Sequence, residues 1–416
     1  MDMIFQNNAV KGEVRAISSK SEAHRYLICA ALGDRETELI CTDTNADIDA
    51  TASCLNSLGA EIKRTAKGFT VKPISSVTRG QDLDCNESGS TLRFMLPLSA
   101  SLGADCRFLM RGRLSKRPLS PLYEILRDHG VSLTPQGSNP LEIKGQFGAG
   151  DYSVAANISS QYISGLLFAL SVAEGKSTLT LEGNIESAPY IEMTVDAIRA
   201  FGAIVDYNDS ENRFYITGLP RLHSPERLTV GGDWSNAAFF LCAGAIGKDP
   251  VTVSGLDASS RQGDKAVLDL LARMGAEITH KDGKITVSPS LLHATDIDAS
   301  QIPDLVPILA TVASVARGRT RIYNAGRLRL KESDRIESVC NTLLSLGADV
   351  EETCDGMIIN GKDRLCGGEV DSYNDHRIAM SAAVASLVCQ APVKITRFEA
   401  INKSYPSFMS GWANKE

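Results

Sequence analysis

The chain has 416 residues, 43% of them hydrophobic and 22% charged, with a formal net charge of -7. That length is more than one hydrophobic core commonly holds, so two domains are expected, and a net-acidic chain without a Lys/Arg stripe makes a poor partner for nucleic acid or an anionic membrane. The longest apolar stretches, such as Leu166 to Ala173, are too short to span a bilayer. Ten cysteines stand singly with no C-x-x-C pair, and no secretory n-region precedes Gly12, so reduced thiols and a cytoplasmic location are expected.

One phrase recurs five times: Leu58-Gly59-Ala60-Glu61-Ile62, His129-Gly130-Val131, Phe201-Gly202-Ala203-Ile204, Met274-Gly275-Ala276-Glu277-Ile278 and Leu346-Gly347-Ala348-Asp349-Val350. The glycines are 71, 72, 73 and 72 residues apart, too long for small solenoid repeats. In each copy an apolar-periodic stretch runs into the glycine and an alternating β-branched stretch follows, which predicts helix, C-cap, strand. Three copies precede residue 225 and two follow it, so a sixth unit would need the C-terminal segment to pair with the N-terminus. The prolines of Pro220 to Arg227 make that segment a candidate crossover.

In chain order, the predicted helices place cations where the helix dipole disfavours them. Lys20-Ser21-Glu22-Ala23-His24-Arg25 opens a helix with an apolar face at Leu27, Ile28 and Ala31. Ser88-Gly89-Ser90-Thr91-Leu92-Arg93 opens a second. Ser159-Ser160-Gln161 and Ser187-Ala188-Pro189-Tyr190 set hydroxyls at two further starts, where capping is the competing explanation. Lys331-Glu332-Ser333-Asp334-Arg335 precedes the spacing Ile336, Val339, Cys340, Leu343, with Ser333 as the expected cap, and Asp375-His376-Arg377 opens a helix to Val388. A cation at a helix N-terminus costs about 0.3–1 kcal/mol, so the repeated choice points to anions bound from outside on free N–H groups. Like charges about 4 Å apart repel by about 4 kcal/mol at an effective dielectric of 20. Cations from two domains should therefore close on one another only around bound anions.

Acid and base candidates are few: Glu332, and Asp304 within Ile302-Pro303-Asp304-Leu305, which could instead cap the helix to Ala316. Six histidines show no metal spacing, so no metal is expected. Gly175-Lys176-Ser177 imitates the end of a P-loop, but Leu170 stands where the first glycine belongs, and the segment reads as a surface turn. Gly148-Ala149-Gly150 lacks the third glycine of a dinucleotide loop.

Lys20-Ser21 with Arg25, Ser88 to Arg93, Arg117-Pro118, Ser159-Ser160-Gln161, Asp304, Lys331 to Arg335, Asp375-His376-Arg377 and Lys403 together resemble the 5-enolpyruvylshikimate-3-phosphate synthase family. The resemblance implies an α/β fold of two similar domains, each of three βαβαββ repeats forming an inside-out α/β barrel. The domains would be 19–230, and 1–18 with 231–416, with the active site in the interdomain cleft. It implies a cofactor-free reaction. The 5-hydroxyl of shikimate 3-phosphate adds to C2 of phosphoenolpyruvate while C3 is protonated, and the adduct then eliminates phosphate. Shikimate 3-phosphate would lie against Lys20, Ser21, Arg25, Ser159, Ser160, Gln161, Ser187, Tyr190, Asp304 and Lys331. Phosphoenolpyruvate would lie against Lys20, Gly89, Arg117, Gln161, Arg335, Arg377 and Lys403. Asp304, taking the hydroxyl proton, and Glu332, handling the methylene carbon, would be the proton-transfer pair, with Lys20 or Lys403 assisting.

The more familiar Asn-Ala-Gly-Thr-Ala-Met-Arg-Pro stretch of that family reads Glu87 to Phe94 here, keeping the glycine and arginine. Gly89 leaves room for glyphosate as an inhibitor, while Phe94 alters the packing behind it. The sister UDP-N-acetylglucosamine enolpyruvyl transferases carry a reactive cysteine shortly before the matching Arg-Pro; Arg111 to Lys116 has none, and Cys106 is too far upstream. A non-catalytic anion-binding scaffold is the other alternative, and Asp304 and Glu332 set among cations argue against it. No oligomer seam is legible, and a monomer is expected.

Overall fold

The structure is a computed structural model that describes residues 1–6, 9–10 and 12–413. The five repeated glycines explain its regularity. Each follows a helix (Ala46–Ser57, Leu122–Asp128, Ala188–Ala200, Val267–Arg273 and Arg335–Ser345) and takes a left-handed φ, between 76° and 109°. Each ends its helix in the same way. The Gly59 N–H donates to the Asn56 carbonyl and the Ala60 N–H to the Leu55 carbonyl, and the pairs at 130/131, 202/203, 275/276 and 347/348 repeat that Schellman pattern. The strands Glu61–Thr65, Ser132–Leu133, Ile204–Asn208, Glu277–Lys281 and Asp349–Thr353 begin one or two residues later.

The sheets repeat as the helices do. Asp82–Asp84 runs parallel to Arg107–Leu109, which pairs antiparallel with Leu141–Lys144, which pairs in turn with Ser132–Leu133. Asp151–Ala155, Gly175–Glu182, Arg213–Gly218 and Ile204–Asn208 repeat this order, as do Ile297–Asp298, Arg319–Tyr323, Gly356–Asn360 and Asp349–Thr353. Two further sheets borrow their first strand from a distant part of the chain: Arg227–Thr229 lies parallel to Thr37–Ile40, and Glu13–Arg15 parallel to Val251–Ser254. In the sixth, Gly368–Asp371 and Val393–Thr396 are completed by Met3–Phe5, so the N-terminus does supply the missing strand. This is a two-domain α/β fold of βαβαββ units.

The chain divides into two compact units, residues 18–230 and residues 1–17 with 231–416. Each has its own hydrophobic core. Pro220 to Arg227 therefore lies inside the first unit, where Leu222 bridges to Gly33, and is not a crossover. Ser160–Val172 and Trp234–Ile246 are buried nearly all round, as inner helices require. Gly165 lets the first of these approach Gly89–Ser101 closely; a Cβ there would stand 2.3 Å from the Arg93 carbonyl oxygen. Two local expectations change. Gly175 to Ser177 opens a strand instead of turning, because its backbone pairs with Ile216–Gly218, and the helix from His376 ends at Ala385 before a 3-10 turn over Ser386–Val388.

A left-handed residue with a Cβ costs about 1–2 kcal/mol. At Gly130 a Cβ would meet nothing closer than 4.0 Å, whereas at Gly59 it would strike the Ser76 carbonyl oxygen at 2.6 Å. Urea unfolding should show Gly130→Ala less stable by about that backbone cost and Gly59→Ala less stable by more, although both replace the same motif.

Candidate active site

In the unit spanning 18–230, cations gather at helix starts. Lys20 opens Lys20–Ala31, capped by Ser19, and its Nζ lies 2.9 Å from Asp47 Oδ2. Arg25 is buried one turn on; its Nη1 donates to the Ser21 carbonyl at 2.7 Å, Nη2 to the Tyr190 carbonyl at 2.8 Å and Nε to Thr194 Oγ1 at 2.9 Å. Burial pulls the Arg25 pKa down to about 10 against the opposing influence of Tyr190 and Glu22. Its guanidinium stands over the Phe94 ring at 5.3 Å.

Gly89 is the first residue of Gly89–Ser101, after the cap Ser88. A Cβ on it would lie 2.7 Å from Nη1 of both Arg117 and Arg93, so only glycine lets the two guanidinium groups crowd this helix start. Arg93 Nη1 donates to Gln161 Oε1 at 2.7 Å, and Gln161 Nε2 donates to Ser90 Oγ at 2.8 Å. Gln161 is thereby fixed to two residues near the start of Gly89–Ser101. Ser159 accepts from the Gln161 N–H at 3.3 Å and is an ordinary cap, followed by buried Ser160. Ser187 is not a side-chain cap: it sits at φ 55° and ψ 40° and makes no capping hydrogen bond, although it is buried at the start of Ala188–Ala200.

In the other unit one guanidinium organises the site. Arg335, 1% exposed, donates from Nη1 to Asp304 Oδ1 at 2.8 Å, from Nη2 to Glu332 Oε2 at 2.7 Å, and from Nε to Asp375 Oδ2 at 2.8 Å. Arg377 Nη2 lies 3.3 Å from Asp304 Oδ2 and donates to Ser235 Oγ at 2.7 Å, while its Nη1 donates to the Asp304 carbonyl at 3.0 Å. Lys331 Nζ is 3.8 Å from Asp304 Oδ1, and Lys403 Nζ donates to the Asn374 carbonyl at 2.6 Å. Burial works to raise the Asp304 pKa, but Arg377, Lys331 and Arg335 outweigh it and hold the carboxyl far below its ordinary range. Burial also lowers Lys331 to about 8, only partly offset by Asp304.

Two capping expectations are corrected here. The cap of Arg335–Ser345 is Asp334, which accepts from the Glu337 N–H at 3.1 Å; Ser333 instead donates to Asp375 Oδ2 at 3.2 Å. Asp304 caps nothing, for it lies within the 3-10 turn Pro303–Leu305 and spends its oxygens on the cations. Sequence reasoning also missed Asp47 and the central role of Asp375. The signal for Asp47 was an acid in the first turn of Ala46–Ser57; Asp375 looks in sequence like any N-cap. Among the described residues no three His, Cys, Asp or Glu side chains are grouped as for a metal ion, and no helix is long and apolar enough to cross a membrane.

Repeat topology together with anion-seeking helix starts defines an enolpyruvyl transferase. The enolpyruvyl transferase NikO from Streptomyces tendae shares the fold, with a TM-score of 0.80 at 19% identity over 99% of this chain and 96% of that one. An EPSP synthase of Acinetobacter baumannii gives 0.81 at 27% identity, covering 99% and 96%. The family model for EPSP synthase (3-phosphoshikimate 1-carboxyvinyltransferase) matches residues 4–412. Relatives bearing the name 3-phosphoshikimate 1-carboxyvinyltransferase are 41% identical in Clostridium kluyveri, over 96% of this chain and 93% of the relative, and 42% identical in Clostridium perfringens, over 98% and 96%. The chain belongs to the EPSP synthase family. It transfers the enolpyruvyl group of phosphoenolpyruvate to shikimate 3-phosphate in the shikimate pathway, which sets aside the nucleotide-sugar and silent-scaffold alternatives.

Between pH about 8 and about 10.5 the unfolded chain binds the Lys331 proton that the folded chain has lost, so this residue makes stability rise with pH over that window. The stability of the substrate-free protein relative to Lys331→Met, measured by urea unfolding, should increase from pH 8 to pH 10.

Proposed function

We propose that the two clusters, one on each unit, serve a single reacting pair in the cleft where the units close on bound anions. Shikimate 3-phosphate is taken by Lys20, Ser21, Arg25, Ser159, Ser160, Gln161, Ser187 and Tyr190 from one unit and by Asp304 and Lys331 from the other. Phosphoenolpyruvate is taken by Lys20, Gly89, Arg117 and Gln161, with Arg335, Arg377 and Lys403. The observation that carries this reading is Asp304 and Glu332 sharing the single guanidinium of Arg335, since a pure anion site gains nothing from carboxylates there.

The same contacts suggest how the base is switched on. With three cations on it, Asp304 is a weak base. Incoming phosphate and carboxylate groups compete for Arg335 and Arg377, and each contact they draw away raises the proton affinity of Asp304. It then takes the proton of the 5-hydroxyl as the oxygen attacks C2, while Glu332 protonates C3. Loss of phosphate from the tetrahedral adduct returns a proton from the methyl carbon to the Glu332 carboxylate, the hydroxyl proton held by Asp304 leaves with the phosphate, and Lys20 and Lys403 steady the departing charge. Lys331 binds its anion as an ammonium group, so shikimate 3-phosphate binding weakens as pH climbs past about 8.

The protein acts as a cytoplasmic monomer without a cofactor, and glyphosate competes with phosphoenolpyruvate in the space that Gly89 leaves beside Arg117. Competitive inhibition at millimolar glyphosate is expected; inhibition competitive only with shikimate 3-phosphate would contradict it. For the chemical step, Asp304→Asn and Glu332→Gln should each lower kcat by about 10²–10⁴ with smaller changes in KM. Variants that kept kcat and only raised KM would remove both residues from proton transfer.

A further inference from the structure

Three helices of the unit spanning 18–230 carry two of the groups assigned to phosphoenolpyruvate there and the partner of one: Lys20–Ala31 begins with Lys20, Ala46–Ser57 holds the Asp47 that pairs with it, and Gly89–Ser101 begins with Gly89. One turn behind the Lys20–Asp47 pair, the same two helices meet again through His24 and Thr51, each four residues further on. His24 Nδ1 lies 2.7 Å from Thr51 Oγ1, which lies 2.7 Å from Thr91 Oγ1, which lies 2.8 Å from Ser88 Oγ. Ser88 in turn accepts the Thr91 N–H at 3.3 Å as the cap of the Gly89 helix. All four side chains are at most 1% exposed, and the steps derived above use none of them.

We propose that His24, Thr51 and Thr91 are positioning residues for phosphoenolpyruvate, a buried relay of hydrogen bonds that fixes the start of the Gly89 helix against Lys20. The inference rests on the assignment of phosphoenolpyruvate to Lys20 and Gly89. Proton counting gives the relay one direction. Burial, then the charges of Lys20 and Arg25, push the His24 pKa well below its ordinary value, so the imidazole carries one proton. Nε2 is buried without a hydrogen-bond partner, and its ring stands edge-on to Phe94 at 6.3 Å; an N–H there would be an orphaned donor. The proton therefore sits on Nδ1 and is given to Thr51. Thr51 gives its own to Thr91, and Thr91 gives its own to Ser88. His24, Thr51 and Thr91 each direct their one proton along this line, so the three helices are bridged, and the Asp47 carbonyl, 3.4 Å from Thr91 Oγ1, is a second acceptor for the Thr91 hydroxyl.

A relay that merely glued the core would affect folding and leave the two substrates alike. Steady-state kinetics with each substrate varied at saturating levels of the other separate the two cases, run on wild type, Thr91→Val, Thr91→Ser, His24→Leu, His24→Asn and Lys20→Met. Loss of a buried hydrogen bond in the relay should raise KM for phosphoenolpyruvate by about 5- to 30-fold in Thr91→Val and His24→Leu. The KM for shikimate 3-phosphate, which shares only Lys20 with this part of the site and has many other contacts, should rise by clearly less than the KM for phosphoenolpyruvate, and kcat should stay within about twofold. Thr91→Ser keeps the hydroxyl, and His24→Asn supplies an N–H near the place of Nδ1, so both should recover most of the loss. Equal rises in both KM values, no rise, or failure of both conservative variants to recover would overturn the relay. If Lys20→Met raises KM for phosphoenolpyruvate and Thr91→Val does not, the relay alone is wrong; if Lys20→Met is silent, the substrate assignment fails and the relay falls with it. The His24 pair gives the same contrast should the threonine variants not fold.

Discussion

The arrangement of the charged cluster on residues 231–416 depends on the buried contact between Asp375 and Arg335. Asp375 is fully buried, and besides Arg335 it accepts the Ser333 hydroxyl and the Arg377 N–H. Two helix N-termini, at Arg335 and His376, come together beside three cationic side chains. Taking such groups out of water costs several kcal/mol per ion unless each is paired and hydrogen-bonded. Asp375 meets that need from a fully buried position, while Asp304 and Glu332 meet it from partly exposed ones.

The other unit pairs Lys20 with the Asp47 carboxylate but also sets two guanidinium groups against neutral partners. Arg25 is held by two backbone carbonyls and a threonine hydroxyl, and Arg93 by the Gln161 amide oxygen. Carbonyls orient a guanidinium without cancelling its charge, which leaves its field directed at an anion. Gly89 belongs to the same logic, since any Cβ would force Arg93 and Arg117 from the helix start.

The repeat was legible in sequence because its constraint is stereochemical: a left-handed C′ position selects glycine, and the five glycines therefore mark five helix ends. The cationic helix starts were legible because they violate the dipole preference that surface helices obey. Less local features were not. Ser333 and Asp334 are adjacent and both can cap, and only the position of Asp375, forty residues along the chain, decides that Ser333 turns away from the helix. Asp304 looked equally able to cap or to react until Arg335 and Lys331 from one segment and Arg377 from another were brought around it. The prolines of Pro220 to Arg227 signal irregular backbone and say nothing about whether it crosses between units; the crossing falls after Val230.

Phosphate release from phosphoenolpyruvate by the purified protein, without added metal, tests the central claim most directly when shikimate 3-phosphate, unphosphorylated shikimate and UDP-N-acetylglucosamine are compared as acceptors. The account predicts release with shikimate 3-phosphate and very little with the other two, because the proposed acceptor site offers Lys20, Arg25 and Lys331 to an anionic acceptor. Equal release with unphosphorylated shikimate, or release with the nucleotide sugar, would contradict it.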